Sequence, residues 1–194
     1  MSEHAHALPR RVASANGWWG MAVFVATEAT LFGTIFGTYF YLRFNTPNWP
    51  PAGIEPPKVV LPLVLTGVLV ATSVPIQAAV AAARRGRAGI AVGALALALV
   101  VQAGYFAMQV HQYLGDLDKF SPKDTAYGSI YFTMLGAHHA HVVIGMLLVL
   151  WFLGRLSTGI TRYRLVGLQA TAFYWHFVNL LALLVVGAQL SAAV

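Results

Sequence analysis

The sequence has no cysteine among its 194 residues. That excludes a disulfide-stapled fold and a zinc–thiolate site. Charge is nearly as scarce. Twelve Lys and Arg and six Asp and Glu make up 9% of the chain, where a soluble domain carries about 25%. So few charges do not cover a water-soluble globule of this length. Disorder is excluded from the opposite side, because 58% of residues are hydrophobic and 12% aromatic. A Gly-rich phosphate loop, a nucleophile elbow and a basic–aromatic surface for nucleic acid are also missing. No nucleic-acid partner is expected.

Long apolar runs are what the chain does have, with a mean hydropathy of +0.68. A hydrocarbon core of about 30 Å needs about 20 apolar residues in helix. Five segments qualify, at about 18–42, 59–83, 88–114, 127–153 and 165–193. Each is too long for a strand, and none alternates as a barrel strand does. The expected fold is all-α: a polytopic membrane protein with five transmembrane helices in one bundle. A polar, basic tail over residues 1–17 precedes a single membrane domain over 18–194. The first run reads as a span rather than a cleavable signal, being too long and lacking a small-residue cleavage site.

Orientation follows from where the basic residues fall. Arg10 and Arg11, then Arg84, Arg85 and Arg87, then Arg155, Arg162 and Arg164 lie on one side. Only Arg43, Lys58, Lys119 and Lys123 lie on the other. The positive-inside rule places the N-terminus in the cytoplasm and the C-terminus outside. The net charge of +6 is thus a topology signal. The loop over 46–57 holds five prolines and Trp49, which predicts a stiff, ordered cap. The other connections are short, so the helices they join are expected to be antiparallel neighbours.

Polar residues inside the spans carry the functional signal, because they are expensive in lipid. Glu28 lies about 15 Å into the first helix, near mid-depth. A carboxylate there must be neutral or paired, and its helical neighbours Phe24, Leu31, Phe32 and Ile35 offer no partner. The partner has to come from another helix. The fourth span carries His138, His139 and His141, of which His138 and His141 share a face. The fifth carries His176, with Asn179 one turn later. Glu28, His138, His141 and His176 are expected at a common depth. The residues alone leave three readings open: a metal site, a hydrogen-bonded cluster that registers the helices, and a proton or ion path.

Weaker signals surround these. Gly33 and Gly37 stand in the spacing that permits close helix approach. Trp18, Trp19, Trp49 and Trp151 read as an interfacial aromatic belt. Arg84, Arg85 and Arg87 are candidates for contacts to anionic lipid headgroups. His111 reads as a solvated imidazole near a helix end, and His4 and His6 carry no signal.

Four blocks resemble subunit III of the haem–copper terminal oxidases. They are Phe24-Val25-Ala26-Thr27-Glu28-Ala29-Thr30-Leu31-Phe32, then Trp49-Pro50-Pro51-Ala52-Gly53-Ile54, then Tyr127-Gly128-Ser129-Ile130-Tyr131-Phe132 continuing to Gly136-Ala137-His138-His139-Ala140-His141-Val142-Val143-Ile144-Gly145, and last Tyr174-Trp175-His176-Phe177-Val178. Their order and spacing agree with the family over about residues 18–190. The resemblance is to its short five-helix bacterial form, without the first two helices of the longest members. The sequence departs from the family at Asn179, Gln112 and His139, so detailed proton or ion-pair networks do not carry over.

The resemblance implies a non-catalytic subunit of a proton-pumping complex that reduces oxygen with cytochrome c or quinol. It implies no active site, metal or other cofactor in this chain. Haem and copper belong to the partner subunits, and bound phospholipid is expected here. The implied partners are subunit I directly, subunit II, a small subunit IV and membrane lipid. The implied setting is aerobic respiration in a bacterial inner membrane. Glu28 matches the family's buried, carbodiimide-reactive glutamate, and the polar cluster becomes the favoured reading over a metal site. The alternatives are a related accessory subunit of a nitric oxide reductase system and, further off, a stand-alone membrane metalloprotein.

Overall fold

Each apolar run becomes helix. The structure, a computed structural model, describes residues 12–58 and 60–193, with side-chain surroundings for 17–58 and 60–192. Most of the N-terminal tail, including His4, His6, Arg10 and Arg11, lies outside the described residues. The elements are α1 (Val12–Asn45), α2 (Val60–Ala71), α3 (Ser73–Arg84), α4 (Ala88–Leu117), α5 (Ala126–Ser157) and α6 (Arg162–Ala193). Among the described residues, with α2 and α3 counted together, five helical segments are long and apolar enough to cross a membrane. No strand occurs among the described residues. The fold is therefore the all-α, five-span bundle expected from the sequence.

One expected helix is broken in two. Pro75 has no N–H for the carbonyl of Ala71, and its ring crowds that carbonyl. The chain responds at Thr72, whose N–H bonds Leu69 O at 3.1 Å in a tighter turn. The Thr72 hydroxyl also donates to Leu69 O, at 2.5 Å. The helix resumes with Ile76 N–H on Thr72 O at 3.3 Å. At the other end of α3, Gly86 closes the turn with φ of +72°, a conformation suited to glycine. The turn lets α4 return directly alongside α3.

Helix α6 is the hub. Among the described residues it touches α1, α2, α3 and α5, whereas α1 touches only the helices α5 and α6. The short connections do join neighbours: α3 packs on α4, α4 on α5, and α5 on α6. Two glycines permit the closest approaches. A Cβ at Gly145 of α5 would lie 2.5 Å from the Trp175 ring on α6. A Cβ at Gly167 of α6 would collide with the Phe152 ring on α5. Gly33 and Gly37 make no such approach within this chain; both are exposed, with nothing within 4 Å of a built Cβ. The face they share belongs to α1, the helix least covered by its own chain.

The proline-rich loop docks by its tryptophan. Trp49 donates through Nε1 to the Tyr39 hydroxyl at 3.2 Å, and Tyr39 donates in turn to Ala188 O on α6 at 2.8 Å. The Trp49 ring stands edge-on to Tyr127 of α5, centroids 5.0 Å apart. Trp49 is thus half-buried packing that ties three helices, while Trp18, Trp19 and Trp151 remain exposed as belt residues do. At the start of α5, the Thr125 hydroxyl accepts from Gly128 N–H at 3.0 Å, capping the helix.

Candidate functional site

Glu28 finds its partner on α5. His141 Nε2 lies 2.8 Å from Glu28 Oε2. The other ring nitrogen, Nδ1, lies 2.7 Å from Ala137 O, one turn earlier on its own helix. A carbonyl oxygen only accepts, so Nδ1 carries a hydrogen. The short contact between Nε2 and Oε2 then holds one shared hydrogen, on whichever atom it resides. In both arrangements the pair has no net charge, which is what an apolar surrounding demands of it. Phe32, one turn beyond Glu28, sets its ring edge-on to His141 with centroids 5.1 Å apart. Tyr174 of α6 donates to His141 O at 3.2 Å. Three helices meet at this pair. The His141 side chain is 8% exposed and that of Glu28 20%, so the carboxyl sits nearer the outer edge of the bundle than the imidazole.

His138 turns to α4. Gln109 donates to the Tyr105 hydroxyl oxygen at 2.9 Å. The Tyr105 hydrogen is then free to be donated to His138 Nε2, 3.3 Å away. His139 lies between the Phe106 and Tyr113 rings of α4.

His176 turns to α3. Its Nδ1 is 3.2 Å from Ser73 Oγ, and its Nε2 meets the Gln77 amide. Asn179 donates to the same Ser73 oxygen at 2.7 Å. Trp175 donates to Thr72 Oγ1 at 2.8 Å. The break imposed by Pro75 therefore has a use: it presents the Thr72 and Ser73 hydroxyls to α6.

The four residues expected at a common depth thus divide among three contacts. Glu28 and His141 are brought together. His138 and His176 each bond a different helix. Among the described residues, no three His, Asp or Glu side chains converge as metal ligands would. Of the arginines, Arg84 is held by α6: with the Gln169 amide oxygen turned toward it, that oxygen accepts from Nε at 3.0 Å and from Nη2 at 3.1 Å. Arg85 and Arg87 are exposed in the tight turn.

Sequence reasoning missed the partners Thr72, Ser73, Gln77, Tyr105 and Gln109. It also missed a stripe. Gln102, Tyr105, Gln109, Gln112 and Asp116 recur at intervals of three and four along α4, so they share one face. That face meets α5, where Tyr105 bonds His138 and Tyr131 donates to Asp116 Oδ2 at 2.8 Å. The spacing was available in the sequence; what hid it was the absence of any acid or base before Asp116.

These features define a multi-pass helical membrane protein whose spans are registered by buried hydrogen bonds between helices. A family model for Cytochrome c oxidase subunit III matches residues 5–187. Cytochrome c oxidase subunit 3 of Coturnix japonica is 32% identical over 170 residues, covering 84% of this chain and 64% of that protein. The subunit 3 of Lumbricus terrestris is 33% identical over 168 residues, covering 83% of this chain and 64% of that protein. That of Anopheles gambiae is 29% identical over 168 residues, covering 83% and 63%. The chain belongs to the cytochrome c oxidase subunit III family. It spans about 64% of the length of the curated relatives it matches.

Proposed function

We propose that this chain is the non-catalytic subunit III of a proton-pumping haem–copper oxidase in a bacterial inner membrane. It serves aerobic respiration, in a complex that passes electrons from cytochrome c or quinol to oxygen. Its role is to support assembly, hold phospholipid and stabilise subunit I. Haem and copper reside in subunits I and II, and a small subunit IV completes the assembly. The N-terminus faces the cytoplasm and the C-terminus the outside, on the strength of the arginine distribution.

The observation that carries the reading is family membership over residues 5–187. The polar contacts agree with it. His138, His141 and His176 each hydrogen-bond a neighbouring helix, as registration of a scaffold requires. In this reading Glu28 and His141 pin α1 to α5, His138 pins α5 to α4, and His176 pins α6 to α3. Arg85 and Arg87 lie exposed at one end of the bundle, where anionic headgroups bind. Arg84 contributes to the same headgroup site from its Gln169 contact.

The test is a mild-detergent pull-down of the chain with a visible spectrum and mass spectrometry of what accompanies it. Haem absorbance together with a large multi-helix copper-binding subunit supports the proposal. A nitric oxide reductase subunit in its place would reassign the complex. A colourless, stable chain on its own would overturn the reading.

A further inference from the structure

Five buried side-chain polar atoms lack a hydrogen-bond partner among the described residues, and four of them belong to α4 and α5. They are both amide atoms of Gln102, the Gln112 nitrogen and His138 Nδ1. Gln102 is 0% exposed. Its neighbours on the same stripe are already engaged: Tyr105 with His138, and Gln109 with Tyr105. Gln102 and Gln112 stand on one face of α4 about 15 Å apart, and His138 faces that stripe from α5 through Tyr105. The stripe ends at Asp116, half-buried beside the exposed Lys119 ammonium at 3.0 Å.

The chemistry of the orphans specifies the ligand. An amide offers both donors and an acceptor, and a ring nitrogen offers one of either. No ion suits such a neutral, mixed set. Water does, because a buried water makes two to four hydrogen bonds of both kinds to groups the protein leaves unpaired. Lipid hydrocarbon supplies none, so satisfaction has to come from inside the bundle. We propose that the α4/α5 contact is a water-binding site, a short file of bound water hydrogen-bonded to Gln102, the His138 ring and Gln112, and entered from the end marked by Asp116. The file holds α4 and α5 in register through shared water where direct side-chain bonds run out.

The experiment is X-ray hydroxyl-radical footprinting of the full chain in lipid nanodiscs. Radicals form from bound water itself, so side chains touching it are oxidised even when sealed from bulk solvent. Tyr105 and His138 are each 2% exposed. Both are expected to oxidise at a rate near that of Tyr163, which is 81% exposed, and far above that of Tyr174, which is 0% exposed with its hydroxyl already bonded. The Gln102→Leu variant should lose oxidation at Tyr105 and His138 and should not gain thermal stability. Silence at both residues in the unmodified chain would overturn the proposal. So would a raised melting temperature in Gln102→Leu, the result expected when two unpaired groups leave a dry contact. If the variant fails to fold, the footprint of the unmodified chain decides alone.

Discussion

Glu28 and His141, 113 residues apart in sequence, share a single hydrogen across 2.8 Å while the far nitrogen of the same imidazole is bonded to Ala137 O. The ring is fixed at both ends. The carboxyl and imidazole together present no net charge to the membrane.

That arrangement separates two substitutions. Glu28→Gln retains a donor for His141 Nε2 and should leave stability within about 1 kcal/mol of the original. Glu28→Ala leaves the nitrogen unpaired and should lower stability by about 1–3 kcal/mol. Adding His141→Leu to Glu28→Ala removes the orphan and should recover part of the loss. Thermal melts of the purified chain in detergent, arranged as a double-mutant cycle, measure all three. Equal losses for Gln and Ala would mean that the amide does not replace the carboxyl as a partner for His141.

Thr72→Val is nearly isosteric but strips the acceptor from Trp175 Nε1, whose ring is fully buried. An unpaired indole N–H in that core should cost about 1–3 kcal/mol. The same melt reads it. An unchanged midpoint would show that Trp175 finds another acceptor.

Gly145→Leu tests one of the two close approaches between α5 and α6. Even a Cβ would stand 2.5 Å from the Trp175 ring, so a whole leucine must push α5 and α6 apart. Overpacking of this kind costs about 1–3 kcal/mol or more. Gly33→Leu is the control: that position is exposed with open space around it, and the isolated chain should melt as before. A matching loss at both positions would contradict the packing described.

Pro75→Ala gives the Ala71 carbonyl its missing N–H and relieves the crowding that breaks the helix. The expected result is a straighter α2–α3 segment that withdraws the Thr72 and Ser73 hydroxyls from Trp175, His176 and Asn179. The gain of one backbone bond should be outweighed by the loss of these contacts, for a net destabilisation of about 1–2 kcal/mol. A more stable protein would mean the break serves no packing purpose. Tryptophan emission should shift as the Trp175 environment changes.

Much of the fold is legible in the sequence. The five spans follow from run length, because a bilayer core of fixed thickness admits only helices of about 20 apolar residues. Glu28 announced a missing partner, since lipid cannot satisfy a carboxylate and its own helix did not. The four motif blocks pointed to the family that residues 5–187 match.

Which helix answers which was not legible. In water, an apolar stripe marks the buried face of a helix. In a membrane, lipid and protein neighbours are equally apolar, so that stripe vanishes. Hence Gly33 and Gly37 looked like contact residues but face outward, while Gly145 and Gly167 make the contacts. Likewise Trp49, placed in a belt by its position, is anchored to Tyr39. The histidines show the limit most plainly. Composition and spacing determined that these imidazoles lie inside the membrane and need partners. Only the packing of α6 among α1, α2, α3 and α5, and of α4 against α5, decided that His141 pairs with Glu28, His138 with Tyr105 and His176 with Ser73. Three-residue spacing turns a helix by most of a circle, and a difference of tens of degrees between neighbouring side chains is enough to send each to a different helix.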